Sequence, residues 1–97
     1  MKTENNMIRN PNFIFRKIID EMVLIPVKQD VADLNAIFTL NDMGAFIWDR
    51  LGEPCTRAQL EEAILAEYDV DIQTVKEDLE VFLHEMAEIG AITEAKA

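Results

Sequence analysis

"FTLNDMGAFIWDRL", Phe38 to Leu51, decides how the rest of the chain reads. It opens as a strand and passes through an Asn-Asp pair suited to capping a helix. It then runs on as a helix that is apolar on almost every side. This stretch holds the only Trp of the chain, Trp48, and two of its five Phe residues. Either the helix is the middle of a core, or part of it is kept apolar for a partner.

Downstream, the pattern stays helical. Met43, Phe46, Ile47 and Arg50 form one stripe and Gly44, Trp48 and Leu51 another, until Gly52 and Pro54 stop the helix. Thr56 with Gln59 three residues on is a capping-box pattern. It starts a second helix with the stripe Leu60, Ala63, Ile64 and Tyr68. Asp71 caps a third, in which Ile72, Val75, Leu79, Phe82, Met86 and Ile89 recur at three- and four-residue steps. Gly90 ends it, and "AIT" adds a short strand.

Upstream, Ala36 to Leu40 reads as a strand behind the polar loop "KQDVADLN". "NPNFIFRKI" and "DEMVLIPV" read as a hairpin turning at Asp20-Glu21, with Pro26 at a strand end. The expected class is α+β, a winged helix-turn-helix-like arrangement in which a three-stranded antiparallel sheet precedes three helices. Residues 1–10 are expected to form a flexible N-terminal segment, 11–93 a single domain and 94–97 a tail.

A chain of 97 residues, almost half of them apolar, is long enough for one core. One cysteine, Cys55, excludes an internal disulfide. No segment resembles a signal peptide or is long enough to span a bilayer, so the expectation is a cytoplasmic protein that does not meet the membrane. The net charge of −10 is uneven. Residues 1–29 carry five Lys/Arg against three Asp/Glu, and the remainder four against sixteen. That acidity repels phosphate backbones and steers basic partners, and it also serves plain solubility.

The helix-turn-helix order suggests DNA, but the third helix offers one full cation, Lys76, among Glu77, Asp78, Glu80, Glu85 and Glu88. Such a face is repelled before any base is read, and nucleic acid is not an expected partner. "DVDIQTVKEDLE", Asp69 to Glu80, imitates a calcium loop, with Thr74 where the sharp turn needs Gly and Lys76 where an apolar residue belongs. It reads as a helix start. His84 stands alone among glutamates, Cys55 has no base near it, and three glycines cannot build a phosphate loop. No catalytic group, metal site or cofactor is expected. The aromatic residues are core by default. A small sheet nevertheless leaves an unpaired edge, and a helix beside it makes a groove for an added strand.

Several stretches together carry a resemblance: "NPNFIFRKIIDEMVLIPV", "LNDMGAFIWDRL", "TRAQLEEAILAEYDVD" and "VKEDLEVFLHEMAEIGAI". Leu40-Asn41, Gly44-Ala45 and Ile47-Trp48 fit an LN-x-x-GA-x-x-W pattern, and Glu67 to Asp69 supply EYD. Over about residues 11–93 the chain resembles the PqqD family, coenzyme PQQ synthesis protein D-like domains also called RiPP recognition elements. The resemblance implies a non-catalytic peptide chaperone. It would bind the leader of a precursor peptide as an added strand and present it to a radical-SAM enzyme in PQQ biosynthesis.

On this sequence it implies a peptide-binding set of Ile37, Phe38, Thr39 and Leu40 from the third strand, with Val75, Leu79 and Phe82 from the third helix. Lys76 would meet a leader carboxylate near the helix N-terminus. Apolar surface around Ala45 and Trp48 is left for a homodimer or the partner enzyme, and the sequence does not choose between them. A winged-helix DNA-binding regulator and a subunit that docks only an enzyme remain the competing readings.

Overall fold

A computed structural model describes residues 6–27 and 38–95. The order is β1 (Asn6–Arg9), β2 (Phe13–Ile18), β3 (Glu21–Pro26), β4 (Phe38–Leu40), α1 (Asp42–Arg50), α2 (Arg57–Glu67), α3 (Ile72–Glu88) and β5 (Ile92–Ala95). Strands β2, β3 and β4 form an antiparallel sheet in that order, and β1 pairs with β5 in a second, two-stranded one. The fold is mixed α+β, as expected.

Local chemistry sets the helix starts. Asn41 accepts the Gly44 N–H at 2.8 Å, Thr56 and Gln59 form the reciprocal capping box, and Asp71 accepts the Thr74 N–H at 3.0 Å. Each satisfies an amide that the helix itself leaves unpaired. Gly90, at φ +83°, takes the left-handed conformation that ends α3.

The core is one cluster. Leu24 and Leu40 from the sheet meet Ile47, Trp48 and Leu51 of the α1 region, Leu60 and Ile64 of α2, and Val75, Leu79 and Met86 of α3. Trp48 is 3% exposed. Arg9 lies 5.8 Å above its ring and donates to its backbone carbonyl at 3.2 Å. The apolar α1 is therefore the middle of the core, and Trp48 offers no free apolar surface to a second chain.

Two differences from the sequence reading have physical causes. Asn6–Arg9, placed there in a segment ahead of the domain, forms β1. It is held by β5 and by paired backbone bonds between Met7 and Cys55 at 2.8 and 3.0 Å. Four residues with two apolar side chains carry no strand signal of their own, and the partner is at the far end of the chain. The hairpin also turns one residue earlier than expected. Ile18 pairs with Glu21, so Ile19 and Asp20 make the turn, with Ile19 at φ +57°. A β-branched residue is strained there, in a position that favours Gly.

Candidate functional site

One hydrogen bond sets the phase of the three-stranded sheet. Val27 donates its N–H to the Asn12 carbonyl at 2.9 Å. Antiparallel pairs alternate between exchanging both backbone bonds and exchanging none. Phe13 and Pro26 are therefore a non-exchanging pair, as Pro26, which lacks an N–H, requires. Arg16 and Val23 exchange. On β3, Met22 and Leu24 then turn their backbone groups toward β4 and bond Leu40 and Phe38. Val23 and Thr39 do not bond each other. Thr39 consequently directs both its N–H and its C=O away from β3, off an edge of the sheet that no described residue pairs.

Beside that edge runs the C-terminal half of α3. A cleft of about 400 Å³ is lined by Phe38 and Thr39 on one side and by Glu85, Met86, Glu88 and Ile89 on the other. A neighbouring cleft of about 300 Å³, also reaching Glu85, has Met43, Gly44 and Ile47 of α1 facing Val81 and Phe82. Gly44 permits this approach, since a Cβ there would lie 3.0 Å from Phe82 Cε1. The two clefts share Glu85 and lie along α3, the first against β4 and the second against α1. Their floor is apolar, and Asp78, Glu85 and Glu88 make the rim acidic. His84, beside Glu88 at 3.4 Å, is exposed.

The eight residues expected to bind a peptide divide. Phe38 and Thr39 line the first cleft and Phe82 the second, while Leu40 is buried at the strand end between them. Val75 and Leu79, each 1% exposed, lie in the core and support α3 from beneath instead of lining the groove. Lys76 points the other way, its Nζ 3.3 Å from Glu61 on α2, and is not brought together with β4. Ile37 lies outside the described residues. Sequence reasoning did not assign Val81, Glu85, Met86 or Ile89 to the site. Met86 and Ile89 stood on the same stripe as Phe82, which was the available signal.

The other sequence candidates have structural explanations. Asp71 is a helix cap, so the calcium-like segment is a helix start, and its hydrogen bonds with Thr74 hold the carboxyl below its ordinary pKa. Burial pushes the Cys55 thiol up, opposed by the nearby Arg50 charge. Phe46 packs edge-on to Tyr68 at 5.5 Å with Arg50 over its ring. Among the described residues, no group of three His, Cys, Asp or Glu could hold a metal ion, and no helix is long and apolar enough to cross a membrane.

The fold and the groove define an α+β domain with an open strand edge set against one helix. The family model for Coenzyme PQQ synthesis protein D (PqqD) matches residues 21–92, and the chain belongs to that family. Two solved structures are similar. "TbiB1 in Complex with the TbiA(beta) Leader Peptide" is 29% identical over 93% of this chain and 99% of that one, with a TM-score of 0.72. "Lasso peptide synthetase B1 complexed with the leader peptide" covers 90% and 96% at 21% identity, with a TM-score of 0.71, a likeness of fold. No curated protein matches the chain.

Proposed function

We propose that this protein binds the leader segment of a ribosomally made precursor peptide as a strand added to β4, and presents the precursor to a maturation enzyme. The observation that carries the reading is Thr39, whose backbone N–H and C=O face a strand position beside the β4–α3 groove that no described residue fills. An added strand would take its backbone bonds from Thr39 and place alternate side chains against Phe38, Phe82, Met86 and Ile89. Family membership supports this, as does the similar TbiB1 chain solved with a leader peptide.

The acidic rim favours a leader that carries Lys or Arg beside its apolar anchors. This differs from the idea of a leader carboxylate at Lys76, whose ammonium already faces Glu61. The family description favours PQQ as the product, and on that reading the recipient is a radical-SAM enzyme. A second reading, in which the leader belongs to another peptide product, is favoured by the likeness to TbiB1.

Titration of isotope-labelled protein with the precursor peptide encoded beside it tests the reading. Amide shifts confined to residues 38–40 and 78–89 are the expected result. Saturable binding that leaves those residues unmoved, or no binding at high peptide concentration, would overturn it. A precursor whose Glu and Tyr become linked points to PQQ, and any other precursor to the second reading.

A further inference from the structure

The sheet has a second edge that no described residue pairs, and its chemistry differs from the first. β2 lies at the side opposite β4, two strand spacings or about 10 Å away. The same ladder phase that opens Thr39 also opens β2. Phe13, Phe15 and Lys17 belong to non-exchanging pairs with β3, so their backbone groups point outward. The Phe13 N–H is taken by the Asn10 carbonyl at 3.1 Å, which leaves Phe15 and Lys17 as the free positions.

The side chains on this hairpin are unusually bare. Ile14, Phe15, Ile18 and Ile19 are all exposed, Ile18 to 53% and Ile19 to 88%. Between them stand Arg16 and Lys17. Elsewhere among the described residues each cation is engaged: Arg9 and Arg50 with aromatic rings, Arg57 and Lys76 with carboxylates. Arg16 and Lys17 have no such partner among the described residues. In a chain of net charge −10 the unengaged cations among the described residues thus sit on an apolar edge strand.

We infer that the β2 edge is a docking strand for a partner protein that presents carboxylates beside apolar side chains on an exposed strand of its own. The basic pair selects such a partner by charge, and the outward groups of Phe15 and Lys17 fix its register. A second copy of this chain fits poorly. A two-fold axis normal to the sheet places Arg16 opposite Arg16 in one register. In the alternative, Phe15 opposes Phe15 but the two Arg16 side chains still share one face within a diagonal spacing. Taking the partner to be the maturation enzyme rests on the proposed function, and the sheet order then lets one molecule hold leader and enzyme on opposite edges.

The test uses labelled full-length protein, first with the precursor peptide and then with the unlabelled maturation enzyme encoded beside it. The enzyme is expected to attenuate the amides of residues 13–18. An Arg16→Glu, Lys17→Glu double variant should weaken that complex at least about fivefold, and lowering the salt should weaken it further, while precursor binding at Thr39 is unchanged. Attenuation at the helices instead, or an enzyme affinity that the charge reversal leaves alone, overturns the inference. Shifts at 13–18 that grow with protein concentration alone, without enzyme, also overturn it, in favour of a second copy. Loss of precursor response at Thr39, with residues 13–18 still answering to the enzyme, would remove the leader reading and leave the docking edge standing.

Discussion

Replacing Thr39 with Pro tests the ladder phase and the peptide edge together. Pro removes one N–H and puts a ring where it stood. In β4 that N–H points away from β3, so no bond of the sheet is broken. The cost falls on an incoming strand. One backbone hydrogen bond is worth about 0.5–1.5 kcal/mol net, which is roughly a 2- to 12-fold change in affinity. The ring also crowds the approaching carbonyl, so a loss near the upper end, about tenfold, is expected. Thr39→Ala keeps the N–H and should bind within about twofold of the parent.

The neighbouring residue supplies the contrast. Leu40 bonds Met22 across the ladder and is buried. Leu40→Pro therefore leaves the half-buried Met22 carbonyl without its donor, at about 1–3 kcal/mol, and lowers the melting temperature. Isothermal titration with the precursor peptide, paired with thermal melts followed by circular dichroism, reads both effects. A folded Thr39→Pro protein with parental affinity would place the peptide elsewhere. If Thr39→Pro were the unstable variant and Leu40→Pro the stable one, the phase derived from Val27 and Asn12 would be inverted.

Gly44→Ala gains helix propensity of about 1 kcal/mol but brings a Cβ to 3.0 Å from the Phe82 ring, so the half-buried ring must move toward the groove. Precursor affinity should fall while the melting temperature changes little, and a variant that binds normally would show Phe82 to be outside the contact. Leu79→Ala, at 1% exposure, should destabilise by about 2–5 kcal/mol in denaturant unfolding, whereas a loss of affinity without loss of stability would return Leu79 to the groove. Ile19→Asn relieves a left-handed β-branched residue and should stabilise by about 1 kcal/mol in the same assay. The Asp71 carboxyl is held below its ordinary pKa in the fold, so its contribution is present above the unfolded value of about 3.9 and is lost as pH falls through the folded one. Melting temperatures of the parent should therefore fall more steeply than those of Asp71→Asn over that acid range, and parallel curves would mean the cap is not titrating.

What the sequence made legible was local. Asn41, Thr56 with Gln59, Asp71 and Gly90 mark helix ends because each satisfies or terminates a backbone within three residues of itself. The spacing of Val75, Leu79, Phe82, Met86 and Ile89 likewise put them on one face of α3. It did not say which part of that face α1 and α2 would cover. Val75 and Leu79 in the first half are buried in the core, α1 meets the helix at Phe82, and β4 meets it at Met86 and Ile89. β1 escaped notice for the same reason, since its partners Cys55 and β5 are distant in sequence.

A three-stranded sheet with two edges that no described residue pairs invites aggregation, and the two edges answer that hazard differently. β4 is only three residues long and lies beside α3, so a strand that adds there must also fill an acidic-rimmed groove. A folded protein cannot easily place its edge in that position, but a single extended peptide can. β2 is six residues long, and the cleft of about 500 Å³ beside it is lined by Phe13 and Phe15 of its first half with Ala45, Trp48 and Asp49 of α1, leaving Arg16 and Lys17 outside it. Its selectivity has to come from Arg16 and Lys17, which repel a second copy and attract carboxylates. On the proposed reading the peptide takes β4 and the folded partner β2, and exchanging those roles would require moving α3.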